Sequence, residues 1–98
     1  MVAVLDVQTA TDLAELFKAF SDPSRVRIIS ALTVKEMNVG GLAKAVNISE
    51  SATSHQLRGL RQMRLVRKRK EGRQVFYTLD DEHIKELYNR GLDHVKHG

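Results

Sequence analysis

Apolar residues recur at helical spacing along most of the chain, and their pattern predicts five helices and one short β-hairpin. The first helical stripe consists of Leu13, Leu16, Phe17 and Phe20. Thr9 or Thr11 can cap the start of this helix, because a threonine hydroxyl accepts a backbone N–H of the first turn. We expect both phenylalanines to lie in the hydrophobic core.

Three further helices follow, each with a recognisable start. Asp22 followed by Pro23 predicts a cap and a proline at the first helical position, while Asn38 and Ser49 can cap the next two helices. Their inward-facing residues are predicted to be Val26, Ile29, Leu32, Leu42, Ala43, Val46, Ala52, His55 or Gln56, Leu57 and Leu60. Only the short segment "NIS" separates the third helix from the fourth, and this spacing is typical of a helix-turn-helix.

The pattern changes after Met63 to two segments rich in β-formers, "RLVRKRK" and "RQVFYTL". Glu71-Gly72 between them predicts a hairpin turn. Val66, Val75 and Tyr77 are expected to pack inward. A last helix, capped by Asp80 or Asp81, then carries an apolar stripe of Ile84, Leu87, Tyr88, Gly91, Leu92 and Val95. The fold prediction is a mostly α winged helix-turn-helix with a small β-hairpin.

Length and composition narrow the class of protein. Ninety-eight residues suit one domain, predicted to span 1–98, and a domain of this size gains from oligomer formation. Cysteine is absent, which excludes disulfides, thiolate metal ligands and cysteine nucleophiles. Residues 1–10 are mildly apolar but include Asp6 and no basic start, so we expect no signal peptide, and no apolar stretch is long enough to span a membrane. We therefore expect a cytoplasmic protein without a membrane partner.

Charge points to a nucleic acid. The net charge is +4, and eight of the sixteen basic residues fall between Arg58 and Arg73. A solvated basic surface is the alternative interpretation. The fourth helix and the hairpin also supply the short polar groups that read base edges and the cations that bind phosphates. The predicted DNA contacts are Ser51, Thr53, Ser54, His55, Gln56, Arg58, Lys68, Lys70 and Arg73.

Three segments resemble the ArsR/SmtB family of winged-helix metal-sensing repressors: "FSDPSRVRIISAL", "ISESATSHQLRGLRQMRLVRKRKEGRQVFYTL" and "DDEHIKELYNRGLDHVKHG". The resemblance runs from about Leu13 to the C-terminus. It implies a homodimer that binds operator DNA without metal and releases it when metal binds. It also places Asp81, His83, His94 and His97 on the positions of the family's metal ligands between the C-terminal helices.

Helix geometry supports that ligand set. The eleven residues from His83 to His94 span about 16 Å of helix, yet eleven steps of about 100° return to nearly the same side. The two ligand pairs therefore lie on one face at opposite ends, and one chain alone cannot close a chelate. Antiparallel pairing of two such helices gives two equivalent sites, each with three imidazoles and one carboxylate, which suits zinc; cobalt can substitute. The alternative is a solvated helix with incidental histidines.

The resemblance also implies a route from metal to DNA, in which His94 donates a hydrogen bond toward the backbone near Arg64. Where many relatives carry a cysteine pair, this chain has "EMNVGGLA", which argues against thiolate sensing of arsenite, cadmium or lead. A catalytic zinc enzyme needs an open coordination position and a pocket, so we expect no enzyme and no small organic ligand. The remaining alternative is a metal-independent winged-helix regulator or a protein-interaction module.

Overall fold

The computed structural model describes residues 3–98. Over that range the chain forms five helices and a two-stranded antiparallel hairpin. In chain order these are α1 (Val7–Ala19), α2 (Pro23–Val34), α3 (Val39–Val46), α4 (Glu50–Gln62), β1 (Val66–Glu71), β2 (Gln74–Leu79) and α5 (Glu82–His97). The predicted mostly α architecture with a small hairpin is confirmed, and the order of elements is that of a winged helix-turn-helix.

A side-chain oxygen caps the start of every helix. Asp22, Asn38 and Ser49 cap α2, α3 and α4 as predicted, and Asp81, rather than its neighbour Asp80, caps α5. The prediction for α1 is wrong. Asp6 accepts the N–H of Thr9, so the helix begins at Val7, and both candidate threonines lie inside it. Hydrogen bonding from the Thr9 side chain, together with this backbone bond, lowers the pKa of the Asp6 carboxyl.

A tight turn joins the two helices of the helix-turn-helix. Asn47 ends α3 in the left-handed conformation, with φ at 57°, and its N–H donates to the carbonyl of Ala43. Only residues 47–49 separate α3 from α4. The guanidinium of Arg27 on α2 donates to the carbonyl of Val46 at 2.7 Å, which satisfies a terminal carbonyl of α3. The angle between α3 and α4 is therefore fixed by both the turn and α2.

The hairpin is held at its base and along one edge. Val66 pairs with Leu79 and Glu71 with Gln74, which leaves Gly72 and Arg73 as a two-residue turn with Gly72 at φ +61°. A glycine meets that positive φ without strain. Met37, in the loop after α2, exchanges two backbone hydrogen bonds with Tyr77 of β2. The wing is therefore attached to the helical part by a short third strand segment.

The hydrophobic core lies where α2, α3, α4 and the base of the hairpin meet. Its fully buried large aliphatic side chains are Ile28, Ile29, Leu42, Leu57, Leu60 and Leu65. Val66 is buried and Tyr77 packs against the core, whereas Val75 is only half-buried and lies outside it.

Phe20 packs against the core as predicted, but the core prediction for Phe17 is wrong, since half of that residue is exposed. Leu13, from the same predicted stripe, is also exposed. Ala19 is the buried residue of α1, and Leu16 packs against the core with Phe20, so only the Leu13 and Phe17 part of the stripe is left exposed by its own chain.

Candidate nucleic-acid interface and metal centre

The outer face of α4 carries most of the predicted base contacts. Ser51, His55 and Arg58 are exposed and lie on the side opposite the buried row of the helix, while Ser54 is half-buried beside them. Ser49 caps the helix in front of this face, so its first turn is ordered and open to solvent. The helix can therefore present short polar groups and a cation to a groove.

Thr53 is a correction to the predicted DNA-contact set. Its side chain is fully buried, and its hydroxyl donates to the carbonyl of Ser49 at 2.8 Å. Ala52, which was expected inside, is exposed instead. Leu57 and Leu60 are buried as predicted, so the inner face of α4 differs from the predicted one where Thr53 takes the place of Ala52, and Thr53 belongs to the core.

Gln56 is half-buried on the flank of α4. Its side-chain oxygen accepts a hydrogen bond of 3.1 Å from Nε of Arg25, near the start of α2. Sequence reasoning assigned Gln56 to base contact and overlooked Arg25. A helix-turn-helix pattern does not indicate which residue of α2 approaches α4, so no local sequence signal predicts this pair.

The basic residues of the wing divide between its two faces. Lys68 and Lys70 are exposed on the face that also carries Val66, and Arg73 is exposed in the turn. Arg69 lies on the other face. These positions place the three predicted wing cations in solvent, where phosphate groups can reach them.

Arg69 is engaged within the protein. Its guanidinium donates to both carboxylate oxygens of Glu36, with the Nε contact at 3.0 Å, and to Glu71 at 2.6 Å. It also lies over the ring of Phe76, 4.9 Å from the ring centre. Its hydrogen bond lowers the pKa of the Glu36 carboxyl, and the same bond together with Glu71 raises the pKa of the guanidinium. Arg69 therefore ties the wing to the loop after α2.

Asp81 and His83 form one half of the candidate metal site, at the start of α5. Oδ1 of Asp81 accepts the N–H of Ile84 at 3.2 Å and lies 3.6 Å from Nδ1 of His83. Its other oxygen makes no hydrogen bond among the residues described. Both side chains are exposed, at 49% for Asp81 and 87% for His83. The pair thus offers an oxygen and an imidazole to an incoming ion.

His94 and His97 form the other half, in the last turns of the same helix. Both are exposed, and they are three residues apart, so they project from one side. Within residues 3–98 no group of three or more potential ligands comes together in the single chain. The nitrogen and oxygen donors fit zinc chemically. Two half-sites on one helix face fit an ion that is shared between two chains.

The predicted connection between His94 and the segment around Arg64 is not formed inside this chain. Arg64 follows α4 in the left-handed conformation, with φ at 60°, and its N–H donates to the carbonyl of Arg61. The described side-chain hydrogen bonds include none from His94. Coupling between these two residues stays a prediction.

An apolar groove of about 350 Å³ runs between α5 and the helices beneath it. It is lined by Phe20, Val26, Leu87, Tyr88, Gly91, Leu92 and Val95. Val95 is 82% exposed, and Leu92 is also exposed. Leu13 and Phe17 of α1 are exposed as well, and uncovered apolar side chains of this kind are typical of surfaces that bind protein partners. No helix in the described part of the chain is long and apolar enough to cross a membrane.

Comparison with known proteins identifies the family. The model of the family described as "Bacterial regulatory protein, arsR family" matches residues 22–68, from the cap of α2 into β1. A transcriptional repressor, the SmtB homolog of Synechocystis sp., is 48% identical over 93 residues, which cover 95% of this chain and 70% of that protein. The chain belongs to the ArsR family of bacterial regulatory proteins.

Other ArsR-family members support the same conclusion. The CadC homolog of Staphylococcus aureus, a cadmium resistance transcriptional regulatory protein, is 40% identical and aligns with 91% of this chain and 74% of its own length. The solution structure of apo-NmtR superposes with a TM-score of 0.83 at 37% identity, covering 100% of this chain and 82% of that chain. The winged-helix fold, the family and the prediction of a regulator rather than an enzyme are confirmed.

Proposed function

We propose that this ArsR-family protein is a cytoplasmic, metal-responsive transcriptional repressor. As a homodimer without metal it binds operator DNA, and it releases the DNA when zinc binds between the two copies of α5. The observation that carries the proposal is the placement of Asp81 with His83, and of His94 with His97, at opposite ends of one exposed helix face.

The DNA-binding half of the proposal rests on α4 and the wing. Ser51, Ser54, His55 and Arg58 offer hydrogen bonds to base edges, and Lys68, Lys70 and Arg73 offer cations to the phosphates on either side. In a homodimer two such surfaces are related by a two-fold axis, so the operator is expected to be an inverted repeat. Several phosphate contacts in each subunit make the affinity fall steeply with salt.

The dimer half rests on apolar surface that a single chain leaves uncovered. Phe17 is half exposed on α1, while Leu92 and Val95 are exposed on α5. Antiparallel packing of two α5 helices buries the α5 stripe and brings the Asp81 end of one copy beside the His97 end of the other. Two-fold symmetry then produces two equivalent sites.

Zinc is the metal that the donor set favours. Each shared site has three imidazole nitrogens and one carboxylate oxygen, enough for a closed tetrahedral shell. The chain has no cysteine, so it cannot bind cadmium through thiolates, whatever the name of its Staphylococcus aureus relative suggests for that protein. Cobalt can occupy the same four ligands in vitro.

The proposed coupling works through the relative position of the two chains. A bound zinc ion supplies a link between the two α5 helices. His94 and His97 of one copy, with Asp81 and His83 of the other, would hold that ion, and the link would favour a dimer geometry in which the two α4 helices no longer fit successive grooves. His94 would transmit this change by donating a hydrogen bond from its second ring nitrogen toward the backbone near Arg64, which follows α4.

The direct experiment compares operator release by zinc in the wild type and in His97→Ala. The operator is a duplex selected from a random pool by the metal-free protein, and release is followed by fluorescence anisotropy. Lys96→Ala, on the same exposed helix turn, is the matched control. We expect His97→Ala to bind the metal-free operator normally but to need at least tenfold more zinc for release.

Two results would contradict the proposal. If the same zinc concentration releases the operator from His97→Ala and from the wild type, His97 is not a zinc ligand. A wild type that binds operator but ignores zinc would favour the alternative, a metal-independent winged-helix regulator. His94→Asn tests the coupling separately, because it should impair release more than it changes the affinity of the metal-free protein for DNA.

A further inference from the structure

Arg25 and Gln56 form a contact that joins α2 to the flank of α4. Nε of Arg25 donates to Oε1 of Gln56 at 3.1 Å, across 31 positions of sequence, and both residues are half-buried. Arginine has no acceptor, so the contact also fixes which end of the glutamine amide faces it. In the described part of the chain, the terminal nitrogens of Arg25 make no hydrogen bond or ion pair.

We propose that Arg25 binds a DNA phosphate beside α4. In this proposal Gln56 does not read a base but is a positioning residue that orients the guanidinium of Arg25. This inference rests on the proposed function, since it adds a contact to the DNA interface. It also changes the role predicted for Gln56, which sequence reasoning placed among the base contacts.

The position of Gln56 on α4 supports a role at the phosphate backbone. Gln56 comes three positions after the buried Thr53, so it lies only about 60° around the helix from the buried face of α4, whereas His55 points outward. The major groove is about 12 Å wide, close to the diameter of a helix with its side chains, so phosphates line both flanks of an inserted helix. A side chain that rests on the flank of α4 is therefore near a phosphate rather than a base edge.

The bonding of Arg25 suits that role. With Nε engaged by Gln56, the two terminal nitrogens remain as a fork that matches two phosphate oxygens. Arg27, two residues along α2, differs because its terminal nitrogen already donates to the carbonyl of Val46. The backbone N–H of Arg25 donates to the carboxylate of Asp22, the cap of α2. Among the residues described, this carboxylate makes no ion pair with the Arg25 guanidinium.

Gln56 is poorly arranged to read adenine. That contact uses the amide oxygen as acceptor for the adenine amino group and the amide nitrogen as donor to the ring. Here the oxygen already accepts from Arg25, so the adenine amino group would have to share it or displace the arginine. A positioning role keeps the observed bond in the DNA complex.

The test measures DNA affinity against salt for Arg25→Gln, Gln56→Leu and the double variant. The probes are the selected operator, its single-base variants and an unrelated duplex. For Arg25→Gln we expect weaker binding to every duplex by a similar factor, and a salt slope reduced by about one. Arg25→Lys should keep the slope but lose part of the affinity, because it keeps the charge without the fork.

Gln56→Leu should also weaken binding without changing base preference. Combined with Arg25→Gln it should add little, because both changes remove the same phosphate contact. Circular dichroism and sedimentation of each variant show whether fold and dimer are intact. Arg25→Ala and Gln56→Ala give the same comparison with smaller side chains if a first variant fails to fold.

Two outcomes would overturn the inference alone. Gln56→Leu could alter preference at one base pair with an unchanged salt slope, which would make Gln56 a base-reading residue. Arg25→Gln could leave affinity and slope unchanged while the wild type binds DNA with strong salt dependence. A wild type that binds no duplex would instead overturn the proposed function, and the inference with it.

Discussion

Thr53 provides a sharp test of how α4 is oriented, because the sequence pattern and the structure disagree about it. The perturbation is Thr53→Val, which replaces the hydroxyl by a methyl group of similar shape. In the structure, the carbonyl of Ser49 accepts both the hydroxyl of Thr53 at 2.8 Å and its backbone N–H at 2.9 Å. The substitution therefore leaves no buried polar group without a partner.

The magnitude follows from that bonding. A typical intramolecular hydrogen bond contributes about 1 kcal/mol net, and burial of a methyl in place of a hydroxyl offsets part of the loss. We expect the free energy of unfolding of Thr53→Val to stay within about 1 kcal/mol of the wild type, and its operator affinity within about threefold. Ser51→Ala, on the exposed face, should show the opposite pattern: unchanged stability and weaker operator binding.

Urea denaturation at a fixed protomer concentration gives the stability, because the stability of a dimer depends on concentration. Fluorescence anisotropy gives the affinity for the selected operator. A loss of operator affinity by tenfold or more in Thr53→Val, with the stability unchanged, would refute the reasoning. It would mean that Thr53 reaches DNA and that the inner face of α4 is the one predicted from the sequence.

Three further predictions test other parts of the structure. Asp81→Asn should keep the cap on α5 and change the unfolding free energy by less than about 0.5 kcal/mol, yet abolish stabilisation by zinc in thermal unfolding; retained zinc stabilisation would exclude Asp81 as a ligand. Arg69 lowers the pKa of the Glu36 carboxyl, so the ion pair between them should be fully formed above the usual carboxyl pKa. The ion pair should weaken as the pH falls through the lowered pKa, because Glu36 is then protonated. The protection factor of the Tyr77 N–H, which corrects the exchange rate for the intrinsic effect of pH, should then fall on acidification in the wild type but not in Glu36→Gln. An equal fall in both would contradict this role. Phe17→Glu should convert the dimer to monomer in sedimentation, whereas a dimer of wild-type strength would place the interface elsewhere.

Local signals in the sequence were sufficient for most of the fold. Asp22 before Pro23, Asn38 and Ser49 each mark a helix start by chemistry that acts within three residues, and all three caps are confirmed. Glu71-Gly72 likewise predicts the hairpin, because Gly72 tolerates the positive φ of the turn, although the turn residues are Gly72 and Arg73, and Glu71 belongs to β1. Such features depend on neighbouring residues only, so the sequence contains the information directly.

The errors arise where the answer depends on a distant element. The stripe containing Phe17 has the same period whether it faces its own core or another chain, so the pattern could not separate these cases. The error at α4 has a different source: Thr53 lies four and seven positions before Leu57 and Leu60, so helical spacing favours it over Ala52, but its polar side chain was assigned to DNA contact. The contact of Arg69 with Glu36 spans 33 positions and depends on the hairpin register and the path of the loop after α2.

Predictions for the metal site stand between these two cases. The spacing of Asp81, His83, His94 and His97 can be read from the sequence, and in the structure all four side chains are exposed, with Asp81 as the cap of α5 and the three histidines on the helix. Their assembly into a closed shell depends on a second chain. That part of the account is a proposal about quaternary structure.

Zinc binding by mixed dimers tests the shared site most directly. One variant lacks Asp81 and His83, the other lacks His94 and His97, and each forms dimers without a complete site. When the two variants are refolded together in equal amounts, half of the dimers should be mixed, and each mixed dimer contains one complete site. Tight zinc binding should therefore reappear at about a quarter of an ion per chain. No recovery on mixing, or tight zinc binding by either variant alone, would contradict a metal site built from two chains.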